Sequence, residues 1–174
     1  MITIVDEARQ HAAAIEALLD RGFGPDRRRK RSYVFRRGVP RAAGLCQVAL
    51  VDGKLAGSIR YWPIVIGEDR TPALLLGPLA VDPDYRNLGI GTRLMQESLI
   101  RGAALDHRVV LLVGDPGFYE RFGFTPAVSR GIVMPGESPQ RLMCRSLVPG
   151  GLEGVSGDVQ SWRSLRGRQL TAAA

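Results

Sequence analysis

At 174 residues the chain is long enough for one α/β domain and short for two. No apolar run reaches the roughly 18 residues that span a bilayer. Cys46 and Cys144, without neighbouring histidines, make neither a metal site nor a disulfide framework, so no metal is expected and the cytoplasm is the expected location. The net charge of +7 is carried by arginine, with Lys30 and Lys54 the only lysines, and favours anionic partners such as phosphorylated cofactors or nucleic acid.

Residues Ile2–Val5 read as a short strand and carry no basic-then-apolar signal pattern. Asp6 is placed to cap the next helix, and Glu7 to favour its positive end. There Ala14, Ile15, Leu18 and Leu19 recur with a helical period, and Gly22, Gly24 and Pro25 end the helix. The run Arg27-Arg28-Arg29-Lys30-Arg31 reads as a solvated helix face or loop rather than a nucleic-acid patch, because no aromatic platform interleaves with it. With Tyr33, Val34 and Phe35 it predicts a second short helix, closed by Gly38 and Pro40. Leu45–Val51 and Lys54–Ile66 read as strands around Asp52-Gly53, a pair that suits a type I′ turn because both central residues need positive φ. Leu74–Val81 is a further strand. Its Gly77-Pro78 pair marks an edge or a bulge, since proline gives the ladder no donor. A glycine-rich turn then opens a helix over Gly89–Ala104, with Ile90, Leu94, Met95 and Leu99 on its apolar side. Val109–Val113 is a wholly apolar, buried-type strand. Asp115 caps a short helix, with Pro116 at its first position and Gly123 past its end. Further strands are expected near Arg130–Met134 and Leu142–Leu147, a loop over Val148–Gly157, and weak specification beyond. The order predicts an α/β chain with a mixed sheet and helices on its faces, in one domain over residues 1–157 with a weakly specified extension over 158–174.

Arg86-Asn87-Leu88-Gly89-Ile90-Gly91 lies directly after a strand and directly before a helix. The first turn of a helix has unpaired N–H groups and the positive end of the dipole, so an anion is stabilised there. Gly89 and Gly91 let the backbone approach it closely, and Arg86 adds a positive charge. The motif is not a Walker loop, because no Gly-Lys-Ser/Thr follows. Nor is it a dinucleotide fingerprint, because the third glycine and the downstream acidic residue are missing. No Gly-x-Ser-x-Gly elbow is present, and neither cysteine has a base beside it, which argues against a nucleophilic hydrolase.

The stretch Leu76–Gly91, LGPLAVDPDYRNLGIG, resembles the core motif of the GNAT superfamily of acetyl-CoA-dependent N-acetyltransferases. That motif is a strand ending in Leu-x-Val followed by Gln/Arg-x-x-Gly-x-Gly/Ala, and every position is met. Val113–Phe124, VGDPGFYERFGF, resembles the family's second signature, Phe-Tyr followed by Gly-Phe. The close match ends at Phe124, and the coarse topology fits through Leu147.

The resemblance implies a GNAT-like fold in which the strand over Leu74–Val81 splays from the strand over Val109–Val113. The pantetheine arm of acetyl-CoA would pair with the backbone of Leu79, Ala80 and Val81. Its pyrophosphate would lie on Arg86, Asn87, Leu88, Gly89, Ile90, Gly91 and Thr92. The implied reaction is acetyl transfer to a primary amine by direct attack in a ternary complex. A backbone N–H near Val81 would stabilise the oxyanion, and Tyr119 would protonate the leaving thiolate. The alternative for Tyr119 is packing against Phe118 and Phe122. Where many family members carry a basic glutamate, this chain has Leu74, Leu75 and Leu76. Glu68 and Asp69 are candidates by proximity, His11 and His107 have no motif, and a bound water is the remaining choice. The acceptor is then a small-molecule or protein amine, with no membrane or nucleic acid expected and a homodimer admitted. Tyr33, Phe35, Tyr61 and Trp62 are acceptor-side lining or plain core. A second class, an acyl-CoA-binding module without turnover, predicts binding without amine-dependent release of CoA.

Overall fold

Apolar alternation and turn chemistry set most elements of the computed structural model, which describes residues 1–168. Strands β1 (Ile2–Asp6), β2 (Gln47–Val51), β3 (Lys54–Ile66) and β4 (Thr71–Val81) run antiparallel in that order. Asp52 and Gly53 join β2 to β3 with φ of 48° and 80°, the two positive values that the turn requires. Strand β5 (Val109–Val113) lies parallel to β4, and β8 (Leu142–Ser146) pairs antiparallel with β5. The two-residue strand β7 (Ile132–Val133) lies within the strand expected near Arg130–Met134, and the two-residue strand β6 (Thr125–Pro126) is an addition that sequence patterning barely marks. Helices α1 (Ala12–Phe23), α2 (Ile90–Ala104) and the short α3 (Pro116–Tyr119) complete the framework.

The sheet is buried on both faces. Ile90, Leu94, Met95 and Leu99 of α2 pack with Leu74 and Leu76 of β4 and Val110 and Leu112 of β5. Leu75, Val109 and Leu111 face the other way, onto Ile132, Met134 and Val159. Ile15, Leu18 and Leu19 of α1 cover Val48 and Ala80. Burying a side chain of this size contributes about 1.5–3 kcal/mol.

Three local expectations are corrected. Asp6 does not cap α1: Arg101 takes its carboxylate, and the chain enters α1 through a 3₁₀ turn in which His11 Nδ1 accepts the Ala8 N–H. The arginine-rich segment forms two 3₁₀ turns, Pro25–Arg29 and Arg31–Phe35, rather than a helix. Gly157–Ser161, at the start of the segment expected to be weakly specified, forms β9. It pairs with Ile64–Ile66 of β3 on the edge that β2 leaves free, and with β7. The rest of that segment continues as a 3₁₀ turn over Trp162–Arg168. Its last residues, 169–174, lie outside the described residues. Among the described residues no helix is long and apolar enough to cross a membrane.

Candidate active site

Two irregularities in β4 build the site. The first is the bulge. Ile59 pairs with Leu79 and Tyr61 with Leu76, so Gly77 and Pro78 together oppose Arg60 alone. One extra residue reverses which face later side chains take. Before the bulge Leu74 and Leu76 face α2; after it Leu79 and Val81 do, and Ala80 turns to α1. The second is the splay. β4 and β5 pair only at Leu74 with Val110 and Leu75 with Leu111. Beyond Leu75 that edge of β4 has no partner strand among the described residues, so its backbone groups face a gap.

The phosphate-type turn stands at the open end of this gap. Asn87 and Gly89 take positive φ, 64° and 71°, which bends the chain into α2. Gly89 is the N-cap, and no side chain caps that end of the helix. The unpaired N–H groups of the first turn thus meet a cavity of about 590 Å³. Arg86, Asn87, Gly89, Ile90, Gly91 and Thr92 line it, with Leu79 and Val81 of β4. Two residues of the expected set are absent from this lining. Leu88 is about half exposed, and the Ala80 side chain is buried against α1, so Ala80 offers the gap its backbone alone. Sequence reasoning missed Tyr85, Phe118 and Arg121, which line the same cavity. The spacing of Arg121 from Phe118 was the available signal: three residues apart in a helical turn, they stack with the guanidinium carbon 4.2 Å from the ring centroid.

A second cavity, of about 280 Å³, lies beyond the bulge. Leu79, Phe118 and Tyr119 line both cavities, so Tyr119 stands at their junction. Asp115 caps α3 by accepting the Gly117 N–H, which sets the orientation of the helix that carries the tyrosine. The Tyr119 ring meets Phe118 and Phe124 edge-on, at 4.9 and 6.1 Å between centroids. It also packs against Gly114, where an added Cβ would fall 2.3 Å from Cε2. The packing reading of Tyr119 and its place at the junction therefore hold together. Burial pushes its phenol above the usual tyrosine range, while Arg141 pulls it back and Asp115 adds to the rise.

The candidate bases fall away from this junction. Glu68 and Asp69 are exposed in the turn between β3 and β4. Six residues of extended strand, roughly 20 Å, separate that turn from the bulge. His11 serves the entry to α1, and His107 precedes β5 with its pKa lowered by burial; neither lines the two cavities. Leu74, Leu75 and Leu76 are core residues. Asp115 is the one carboxylate among the described residues that line the second cavity, and it is held by the Gly117 N–H.

Of the basic run, Arg28, Arg29, Lys30 and Arg31 are exposed, as a solvated loop requires, but Arg27 is buried. Its guanidinium meets Glu16, donates to Asp20 at 2.8 Å and donates to the Tyr33 hydroxyl at 3.0 Å. Arg60, buried on β3 opposite the bulge, holds Glu7 with two bonds of 2.8 and 2.7 Å and Glu16 with one of 3.0 Å. Burial alone would raise the Glu16 pKa, but hydrogen bonds from Arg28, Arg27 and Arg60 bring it down to about 2. This chain of ion pairs fixes the segment after α1 as the wall of the second cavity. Of the aromatic candidates, Tyr33 lines that cavity, whereas Phe35 and Tyr61 are core. Trp62 donates its indole N–H to the Gly77 carbonyl at 2.9 Å.

A sheet splayed between two parallel strands, with a helix N-terminus at the mouth of the gap, defines a class of acyl-CoA-handling folds, and comparison with known proteins places the chain within it. Residues 42–126 match the acetyltransferase (GNAT) domain model. The chain is 31% identical over 152 residues to the uncharacterized N-acetyltransferase YhbS of Escherichia coli K12, covering 86% of this chain and 89% of that one. The crystal structure of Escherichia coli YhbS in complex with CoA superimposes with a TM-score of 0.80 at 28% identity, covering 96% of this chain and 93% of that one. A GNAT acetyltransferase from Brucella melitensis in complex with acetyl-CoA gives 0.71 at 26% identity, covering 95% and 98%. The chain belongs to the GNAT family of N-acetyltransferases and is an acyltransferase.

Proposed function

We propose that this protein moves an acetyl group from acetyl-CoA to a primary amine, by direct attack with both substrates bound. The observation that carries the reading is the position of Tyr119, on the lining of both the turn-side cavity and the cavity beyond the bulge. A donor entering from one side and an acceptor from the other would meet there.

The residues present fit the donor. The unpaired edge of Leu79–Val81 offers backbone groups to an amide-bearing arm, and the Arg86–Thr92 turn offers N–H groups and a guanidinium to a pyrophosphate. Relatives solved with CoA and with acetyl-CoA support the same assignment. When bound, acetyl-CoA supplies the thioester. A backbone N–H near Val81 then stabilises the negative charge that develops on the carbonyl oxygen. Tyr119, held protonated by its burial, donates its proton to the departing sulfur.

The amine must arrive without its proton. Arg27, Lys30, Arg36 and Arg141 line the acceptor-side cavity against the single carboxylate of Asp115. Positive surroundings disfavour an ammonium and lower its pKa, so the cavity itself promotes the neutral nucleophile, and water takes the proton. No residue at Leu74–Leu76 is then needed as a base. The reading is tested by following free CoA from acetyl-CoA, with and without propylamine, and by weighing the product. Amine-dependent release with an N-acetyl product is expected. Release that ignores the amine, or tight binding without release, contradicts it.

A further inference from the structure

Among the described residues, the acceptor-side cavity holds a cation that enters no ion pair. Arg36 lies at the end of the second 3₁₀ turn, with its guanidinium carbon 4.7 Å from the Tyr33 ring centroid. Its Nη2 occupies the space beside Gly77, 3.2 Å from where a Cβ would stand. The Nε is buried and has no hydrogen-bond partner among the described residues. None of the ion pairs there includes Arg36, although Arg27, Arg28, Arg41 and Arg60 are all paired with Glu7, Glu16 or Asp20. Glu137 acts on Arg36 from a distance, and its carboxylate accepts the Ser32 N–H at 2.8 Å. Burial pushes the Arg36 pKa down to about 10, which still leaves it charged at neutral pH.

Arg36 is only partly buried, but a buried guanidinium N–H without a partner is costly, and proteins keep one where a ligand completes it. Arg36 lines two adjoining cavities. One is the acceptor-side cavity; the other, of about 320 Å³, is walled by Arg28, Arg37, Arg41 and Arg60 with Glu16. Tyr33, Arg27 and Pro78 are common to both, so the arginine-walled space continues into the cavity that ends at Tyr119. The guanidinium stands beside Gly77, two strand residues from Leu79, so an anion on Arg36 would lie a few bonds from an amine at the junction.

We propose that the acceptor is a small amine that also carries an anionic group, a carboxylate or a phosphate, which Arg36 binds. This rests on the amine-acetylation reading above and specifies its substrate class. The planar guanidinium suits either oxyanion by paired hydrogen bonds. Lys30 and Arg141, both exposed on the same lining, add attraction without being committed to a carboxylate.

The test uses the full chain with acetyl-CoA and four amines of similar size: β-alanine, phosphoethanolamine, propylamine and putrescine. We expect kcat/KM for β-alanine or phosphoethanolamine to exceed that for propylamine and putrescine by about tenfold or more, as a charged hydrogen bond allows. Which anion is favoured identifies carboxylate or phosphate as the source. Arg36→Gln removes one of the cavity cations for every amine, so it should lower propylamine turnover somewhat but the anionic values by about tenfold more, with the KM for acetyl-CoA unchanged, while Arg36→Lys restores part of the loss. If Arg36→Gln does not fold, the exposed pair Lys30→Gln and Arg141→Gln should still narrow the gap between anionic and neutral amines. Equal or better turnover of propylamine or putrescine overturns the proposal while sustaining amine acetylation. An Arg36→Gln loss of equal size for all four amines overturns it too. Should no amine release CoA, acetylation itself fails, and calorimetry of the CoA-loaded protein still decides the anion site. β-Alanine or phosphoethanolamine binding about tenfold tighter than propylamine supports it, and equal binding overturns it.

Discussion

The proposed chemistry places one hydroxyl, that of Tyr119, at the centre of the site. Its ring is fixed by Gly114 below it and by Phe118 and Phe124 at its edges, so a change of position is as informative as a change of group. Tyr119→Phe should keep the packing and lose the acid, lowering kcat by about 10²-fold or more with the KM for acetyl-CoA within about twofold. Unchanged turnover would sink the acid role. Gly114→Ala should act differently. The new methyl cannot coexist with Cε2, so the ring must shift, with a stability cost of about 1–3 kcal/mol and a fall in kcat. A melting curve and steady-state kinetics separate the two variants: the first lowers rate alone, the second lowers both. The candidate acid Tyr119 was marked in the sequence because Phe118-Tyr119 and Gly123-Phe124 resemble a family signature. Gly114 was not, because its role arises only from a ring five residues on that folds back over it.

At the scale of elements, the Arg86–Thr92 turn joins a strand end to a helix start, and Gly89 adopts a φ that a residue with a Cβ resists. Gly89→Ala should cost about 1–2 kcal/mol in stability and raise the Kd for acetyl-CoA, read by calorimetry, while turnover at saturation persists. Turn, bulge and helix were legible because each follows from a few adjacent residues: Asp52-Gly53, Gly77-Pro78, Gly89 through Leu99. What was not legible depends on distant partners. β9 exists because Ile64–Ile66 present a free edge, a circumstance about a hundred residues away in the chain. Arg27 reads as one more solvated basic residue until Glu16, Asp20 and Tyr33 close around it. Likewise Leu88 looked equivalent to its neighbours in the motif, yet faces solvent because the left-handed residues on either side turn it away.

Across the whole molecule, the acceptor wall is tied to the sheet by carboxylates that must stay ionised. The Glu16 pKa in the folded chain, about 2, lies below its ordinary 4.5. Its folded pKa is depressed, so its contribution to stability is present above pH 4.5 and is lost as pH falls toward 2. Glu16→Gln should therefore flatten the decline in melting temperature across that window, and a decline as steep as in the unmodified protein would rule out this linkage. In the opposite direction, kcat at saturating amine should rise with pH until the bound amine is neutral, with an apparent pKa below that of the free amine, because the cavity cations oppose the ammonium. Burial holds the Tyr119 phenol protonated beyond the usual tyrosine range, with Arg141 and Asp115 acting on it in opposite senses, so no falling limb is expected below about pH 10.

Donor and acceptor are proposed to meet at Tyr119, in the gap where β4 and β5 part. A crystal structure with acetyl-CoA tests it most directly. The pyrophosphate is expected on the Arg86–Thr92 turn, the pantetheine arm along Leu79–Val81, and the thioester sulfur about 3–3.5 Å from the Tyr119 hydroxyl. An acetyl-CoA bound outside the gap, or one whose sulfur is turned from Tyr119 toward solvent, would contradict it.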